Sequence, residues 1–203
     1  NYSIKGTLAD YYSVIDRFNN ANKSLSEYAN QSLDKNYYEG MRIGEIWGFV
    51  SNGLWQDQAS IDAAEAAAKA AGQSYYNPLM QTSKTYKLYP GDIKFEDLNG
   101  NGYIDRGQNT VDDPGDRKII GNSTRRYQYG IHGGASWKGF SLSFLLQGVG
   151  KRDLWIMNDL FYPHYDAWTT VYDTQLNYWT PERTDSYFPR LYEKAAGNTA
   201  ANT

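Results

Sequence analysis

The residues best suited to chemistry lie in the stretch DLNGNGYID. Asp or Asn occupies its first, third, fifth and ninth positions, and glycine occupies the fourth and sixth. Alternating oxygen ligands with a glycine bend are typical of an EF-hand-type calcium loop, in which the carbonyl at position seven also faces the ion. The pattern predicts one Ca²⁺ with these ligands: Asp97, Asn99, Asn101, the carbonyl of Tyr103, and Asp105.

This stretch departs from an EF-hand in two respects. Position twelve is Gln108, which cannot supply a bidentate carboxylate, and the preceding GDIKFE has the pattern of a short strand instead of a helix. With two carboxylates the affinity is expected to be weak, on the order of 10⁻⁴ M. Ile104 is expected to anchor the loop to a core, and Asp112, Asp113 or Asp116 could complete the shell. An Asx- and Gly-rich turn without an ion explains the same spacing, and both interpretations stay open here.

Other constellations give weaker indications of chemistry. The two histidines, His132 and His164, have neither the spacing of a zinc site nor that of a catalytic triad. Carboxylate pairs such as Asp112 with Asp113 leave a glycoside hydrolase open, because the required separation is spatial. Such an enzyme would lose turnover on a change such as Asp97→Asn. The sequence predicts that the protein is not an enzyme.

An aromatic segment, DLWIMNDLFYPHYDAWTTVYDTQLNYWTPE, offers a second kind of contact surface. Flat amphipathic rings can stack on sugars or dock a partner protein. The alternative is that a large loop packs these rings on itself. The residues predicted to contact a ligand or partner are Trp155, Tyr162, Trp168 and Trp179.

Composition excludes several classes of protein. The formal charge is -3 and the Lys and Arg residues are scattered, so no nucleic-acid partner is expected. The absence of cysteine excludes disulfides and thiolate metal sites. The 19 Tyr, 19 Gly and 6 Trp favour strands, aromatic platforms or a membrane-interface belt over a helix bundle.

Period-two alternation of apolar residues predicts an all-β protein with long loops. The expected strands lie near 2–18, 41–50, 127–137 and 140–150. The last two flank Lys138-Gly139, which predicts a hairpin with Trp137 and Phe140 beside its turn. The long connections, near 51–126 and 151–203, alternate with this short turn, as in outer-membrane barrels. Within the first, SIDAAEAAAKAAG predicts a short α-helix with Ser60 near its N-cap and Gly72 after its end.

Five blocks in a fixed order then connect the chain to a family. They are MRIGEIWGFVSNGLWQ, KLYPGDIKFEDLNGNGYID, DPGDRKIIGNSTRRYQYGI, WKGFSLSFLLQGVGKRD, and LNYWTPE with FPRL. The series spans about residue 2 to residue 192. In these blocks the chain resembles the SusC-like family of TonB-dependent outer-membrane transporters, the SusC/RagA-type nutrient importers.

The resemblance implies antiparallel strands of a transmembrane β-barrel with about 22 strands and an N-terminal plug. A SusD-like lipoprotein would cover it, and TonB would supply energy for importing oligosaccharides or peptides. Residues 1–203 would form a partial β-barrel domain from the later half, and TonB would act through the N-terminal part that this stretch lacks. The expected location is the cell outer membrane, with the long loops and their helix extracellular. The lipid-facing residues would include Tyr2, Ile4, Leu8, Phe140, Leu142, Phe144 and Leu146.

A free-standing calcium-dependent carbohydrate-binding or adhesion module is the alternative. A barrel fragment is expected to respond to detergent or to oligomerise, because its apolar surface needs a cover. A module is instead expected to be a monomer that melts cooperatively.

Overall fold

The computed structural model describes residues 1–25, 37–74, 76, 87–156 and 171–191. The regular structure of these residues is mostly strands in antiparallel sheets, with one α-helix, as the all-β prediction expected. The strands are β1 (Tyr2–Ala9), β2 (Glu45–Phe49), β3 (Ser51–Leu54), β4 (Ile93–Phe95), β5 (Arg117–Asn122), β6 (Arg126–Trp137) and β7 (Phe140–Lys151), and the helix is α1 (Gln58–Ala70).

The main sheet contains three antiparallel strands in the order β1-β6-β7. The predicted hairpin is present, with Trp137 opposite Phe140 at its closed end. The two turn residues, Lys138 and Gly139, have φ of 46° and 86°. Positive φ at both positions belongs to the type I′ turn, whose twist matches that of the flanking strands.

Strand β1 is shorter than the alternation from residue 2 to residue 18. It ends at Ala9, opposite Gln128 near the start of its partner β6. The next residue, Asp10, forms a bidentate ion pair with the Arg126 guanidinium, at 2.5 and 2.6 Å. Because β6 begins at Arg126, its ladder with β1 stops there, and the chain that follows is joined to the segment before β2 by an isolated bridge between Val14 and Arg42.

The long connection between residues 51 and 126 contains short strands of its own. Strand β2 pairs with β5, and β3 pairs with β4, which includes part of the predicted GDIKFE strand. Strand β2 starts later than residue 41, because Gly44 turns the chain with φ of 90°. Local strand pairing therefore gives regular structure to the segment near 51–126, which the alternation of apolar residues predicted to be a long loop.

Helix α1 begins two residues before the predicted start at Ser60. Its N-cap is Asp57, whose carboxylate accepts the Ser60 N–H at 2.7 Å. An N-cap carboxylate satisfies one of the free N–H groups of the first turn. At the other end Gly72 has φ of 84° and donates its N–H to the Lys69 carbonyl, which is the stop that the sequence predicted.

The hydrophobic core lies between α1 and the short strands, away from the main sheet. Its buried members are Trp55, Ile61, Ala68, Tyr76, Leu88, Phe95 and Ile104. A smaller cluster joins Leu25, Tyr38 and Met41. Among the described residues, no helix has the length and apolar character needed to cross a membrane.

Candidate calcium loop and the exposed sheet

The Asx-Gly loop, residues 97–105, follows β4 and is fixed to the core at one point. The Ile104 side chain is buried in the core, and its N–H donates to the Tyr76 carbonyl at 2.8 Å. Tyr103 packs against the same core. The expectation that Ile104 anchors the loop is therefore confirmed.

The Asp97 carboxylate organises the first half of this loop. One of its oxygens accepts the N–H groups of Gly100 at 2.6 Å and Asn101 at 3.3 Å, and the other accepts that of Gly102 at 2.8 Å. Gly100 and Gly102 have φ of 75° and 90°, which favour glycine. The backbone therefore wraps around the carboxylate of the first predicted ligand.

The other predicted side-chain ligands gather on Asp105. The Asn101 amide nitrogen donates to the Asp105 carboxylate, and the Asn99 amide nitrogen reaches the same oxygen at 3.5 Å. The amide oxygens of Asn99 and Asn101 accept the N–H groups two residues ahead, Asn101 at 3.0 Å and Tyr103 at 3.1 Å. These bonds form successive Asx turns, the conformation that the alternative interpretation of the sequence expected.

A buried carboxylate, Asp116, supports the loop from the following turn. It is fully buried and accepts the N–H groups of Leu98 at 2.7 Å, Asn99 at 3.3 Å and Asp105 at 2.7 Å. Burial raises the pKa of Asp116, and the three N–H groups partly oppose that rise. Asp116 therefore holds the loop through its backbone.

The loop is also a region of negative potential. Burial, together with the charges of Asp97 and Asp116, raises the pKa of Tyr76 to about 12. The Tyr76 hydroxyl donates to the Phe95 carbonyl at 3.3 Å. This negative potential would attract a cation to the loop.

The donor set fits a hard cation such as Ca²⁺, since it consists of two carboxylates and two amides on one short loop. Binding would require the Asn101 amide to turn, because its nitrogen now faces Asp105 and its oxygen holds the Tyr103 N–H. No cluster of three or more His, Cys, Asp and Glu side chains suited to a metal occurs within the described ranges. The calcium site stays a prediction.

The predicted aromatic contacts have different surroundings. Trp179 is 7% exposed, its ring covers Gly91, and its indole N–H donates to the Gln56 side chain at 3.4 Å. Trp155 is half-buried, and its indole nitrogen has no hydrogen-bond partner among the described residues. Tyr162 and Trp168 lie outside the described residues. The ring of Trp179 is thus covered by this chain itself.

The two faces of the main sheet differ in chemistry. Directly paired residues share a face, and each strand alternates between the two. The apolar face carries Tyr2, Ile4, Leu8, Tyr129, Ile131, Trp137, Phe140, Leu142, Phe144 and Leu146, all of them exposed. The opposite face carries Ser3, Lys5, Thr7, Gln128, His132, Ser136, Ser141, Ser143 and Gln147, with Leu145 and Val149 as apolar exceptions.

Small residues allow the rings of the apolar face to lie flat across the sheet. The Phe144 ring covers Gly133 and the Tyr129 ring covers Gly148, each directly opposite its partner. A side chain at either glycine would meet the ring. The face is therefore packed within its own plane, and nothing in the described chain lies over it.

Residues that the sequence analysis did not single out surround a cavity at the open end of the hairpin. They include Tyr12, Arg42, Arg126 and Lys151, each next to or within the end of a strand. Because these residues are far apart along the chain, the sequence did not predict that they lie close together. The only sequence signal was the presence of basic residues at successive strand ends.

Comparison with known proteins identifies no family for this chain, so the resemblance to the SusC-like family depends on the five sequence blocks. No family model matches the chain, and no curated protein matches it.

Proposed function

We propose that this chain is part of the barrel of an outer-membrane active transporter of the SusC-like type. The transporter imports oligosaccharides or other nutrients, with a SusD-like lipoprotein as lid and TonB as the source of energy, and it performs no catalysis. The proposal rests on the five sequence blocks and on one structural observation, the exposed apolar face of the main sheet. A membrane is the environment that makes such a face favourable.

The size of this face argues against contact with water. Ten large apolar side chains lie exposed on one side of three strands. Soluble proteins rarely expose contiguous apolar patches beyond a few hundred Å². Burying apolar surface contributes about 25 cal/mol per Å², so a covered face is much more stable than a wet one. Lipid on this side and water or a plug on the polar side account for both faces.

Strand length and strand edges agree with a barrel wall. Strands β6 and β7 contain 12 residues each, and a tilted strand needs about 9–11 to cross a bilayer. Trp137 and Phe140 lie together at the hairpin turn, where barrels carry an aromatic girdle. The sheet has β1 and β7 at its edges. In a barrel further strands would pair with both edges, which removes the exposed edge groups.

The Asx-Gly loop has a supporting role in this proposal. A calcium ion outside the cell would cross-link Asp97, Asn99, Asn101 and Asp105 and stiffen the surface beneath the lid. The loop is already fixed by Ile104 and Asp116, so the ion would add order to a folded segment. The aromatic residues of the last connection other than the covered Trp179 are the proposed contact surface for the lipoprotein or a glycan.

Single-cysteine labelling tests the membrane orientation directly. The chain contains no cysteine, so one cysteine at a time can carry a polarity-sensitive fluorophore. Leu142→Cys and Leu146→Cys report on the apolar face, and Ser143→Cys and Gln147→Cys are matched controls on the opposite face. In phospholipid vesicles the two leucine positions are expected to show blue-shifted emission and quenching by spin-labelled lipid.

The alternation along β7 is the decisive result. Lipid contact at positions 142 and 146, with water contact at 143 and 147, supports a membrane strand. Equal water exposure at all four positions overturns the barrel proposal and leaves the free-standing calcium-dependent carbohydrate-binding or adhesion module. That module also predicts a monomer without detergent, which sedimentation measures.

The calcium component has its own test. Isothermal titration with calcium is expected to give weak binding to the wild-type chain and none to Asp97→Asn, which keeps an oxygen but loses a charge. Asp185→Asn is the matched control, because Asp185 is exposed and lies outside both the loop and the turn that follows it. No heat from the wild-type chain contradicts the ion site and leaves a glycine-rich turn.

A further inference from the structure

A cavity of about 170 Å³ lies at the end of the main sheet opposite the hairpin turn. It is bordered by the chain after β1, the chain before β2, the end of β5, the start of β6 and the end of β7. The lining residues that matter for binding are Tyr12, Arg42, Asn122, Thr124, Arg126 and Lys151. The cavity therefore draws on five separate parts of the chain.

Hydrogen bonds hold the frame of this cavity in place. The Ile43 carbonyl accepts the Thr124 hydroxyl at 2.7 Å and the Asn122 amide at 3.2 Å. The Ile43 N–H donates to the Ser13 carbonyl at 2.9 Å. Gly44, with φ of 90°, passes so close to the Thr124 side chain that a Cβ would lie 2.6 Å from its hydroxyl oxygen. The backbone frame of the cavity is therefore preformed, whereas the Arg42 and Lys151 side chains at its border are exposed.

Three cations and no carboxylate line the cavity within the described part of the chain. Arg126 is neutralised by its bidentate pair with Asp10. The Arg42 guanidinium lies 4.9 Å from the centre of the Tyr12 ring and has neither a hydrogen bond nor an ion pair within the described residues. The Lys151 ammonium likewise has no described partner. Two positive charges without a partner among the described residues therefore border one small space.

We propose that this cavity binds an oxyanion, a phosphate or a carboxylate carried by a small ligand. A guanidinium forms paired hydrogen bonds to either group, and an ammonium adds a point charge. The Asn122 amide is a further polar group beside them, and the Tyr12 ring lies at cation–π distance from the Arg42 guanidinium. Free phosphate, or the carboxylate of an acidic sugar, has the required chemistry. The proposal does not depend on a membrane location.

Titration of the full chain with three small probes tests this site. The probes are inorganic phosphate, glucuronate and glucose, measured by calorimetry at low ionic strength. Phosphate, glucuronate or both are expected to bind, and neutral glucose is not. Phosphate binding alone identifies a phosphate carrier and glucuronate binding alone an acidic sugar, and both results support the oxyanion site.

Three variants distinguish anion binding in the cavity from general attraction of the anion to basic residues on the surface. Arg42→Gln and Lys151→Gln are each expected to weaken binding about 10-fold, which corresponds to about 1.4 kcal/mol, because each removes a charge-assisted hydrogen bond. Arg125→Gln is the matched control, because Arg125 is exposed, adjoins Thr124 and Arg126, and does not line the cavity. Its affinity is expected to stay unchanged.

Two results overturn the proposal. One is the absence of binding of either anion to the wild-type chain. The other is an equal loss of affinity in all three variants, which indicates diffuse attraction to a basic surface. Lys151→Gln keeps the test interpretable if Arg42→Gln disturbs the packing on Tyr12, because the Lys151 ammonium makes no described contact.

Discussion

The main sheet and the loop region between residues 51 and 122 use apolar residues in opposite ways. In the main sheet Phe140 is 79% exposed, although it is paired across the longest strands of the chain. In the loop region Ile104 is 1% exposed, although it lies in an irregular turn between short strands. Regular structure and burial are therefore separated in this protein, whereas in most domains they coincide.

This difference concerns where each region obtains its stability. The loop region contains its own core of buried side chains, so its fold depends on contacts within the chain. The main sheet has complete backbone pairing between its strands but an uncovered apolar face, so its environment decides how stable it is. The two regions should therefore respond differently to mutation, lipid and pH.

The largest expected effect is the loss of a core side chain. Ile104→Ala should lower the free energy of unfolding by about 2–5 kcal/mol, because it leaves a cavity beside Tyr76 and Phe95. The matched change on the sheet, Leu142→Ala, should cost within about 0.5 kcal/mol in water, where that side chain is already exposed. Urea unfolding followed by tryptophan fluorescence measures both. Equal losses would remove the distinction between the regions.

A lipid environment should make a polar substitution on the apolar face of the sheet costly as well. With the face covered by lipid, Leu146→Arg should cost about 2–4 kcal/mol, because a charge is placed near the bilayer midplane. Gln147→Arg, on the opposite face of the same strand, should cost less than about 1 kcal/mol. Reversible unfolding from phospholipid vesicles gives both values. Equal costs at positions 146 and 147 would contradict a lipid-facing side.

A smaller effect, the difference in stability between two glycine variants, is expected where the last connection packs onto the loop region. Gly91 has φ of 91°, and a Cβ there would lie 2.5 Å from the buried Trp179 ring. Gly53 has φ of 79° with open space around it. Gly53→Ala should therefore cost about 1–2 kcal/mol from backbone strain alone, and Gly91→Ala about 1–3 kcal/mol more from overpacking.

Thermal unfolding of these two glycine variants isolates the contribution of the ring. If the two variants lose equal stability, the contact of Trp179 with Gly91 does not hold the last connection in place. Unequal losses support the covered position of this indole.

The smallest expected effect is a pH dependence at the end of the sheet. The Arg126 guanidinium holds the pKa of Asp10 at about 2, below its ordinary value of 3.8. Between about pH 4 and pH 2 the unfolded chain binds a proton that the folded chain does not, so acidification removes the stability that the pair provides. The effect is modest because the pair is partly exposed to solvent.

Denaturant midpoints between pH 2 and pH 5 measure this contribution. Asp10→Asn should lower stability above pH 4 and flatten the profile below it. Asp16→Asn is the matched control, because Asp16 is exposed and makes no contact within the described residues. An unchanged profile in Asp10→Asn would show that the pair does not contribute to the stability of the sheet.

Much of the local structure followed from the sequence. The Lys138-Gly139 turn and its hairpin, the helix that stops at Gly72, and the anchoring of the loop by Ile104 all depend on short-range chemistry. Ser60 was placed near the N-cap of α1, and the cap is Asp57, because both residues, three positions apart, are suitable caps. The end of β1 was missed because the partner strand, far along the chain, decides where pairing stops.

What the sequence determined by itself was the alternation of the strands, the turn chemistry and the Asx turns of DLNGNGYID, because each depends on neighbours within a few residues. What only the tertiary structure decided was which of these residues are covered. It buried Trp179 and Asp116 and left Phe140 and Leu142 exposed. It also placed Arg42 and Lys151 at the border of the same cavity. Burial and proximity arise from contacts between segments far apart in the chain, and no local pattern specifies those contacts.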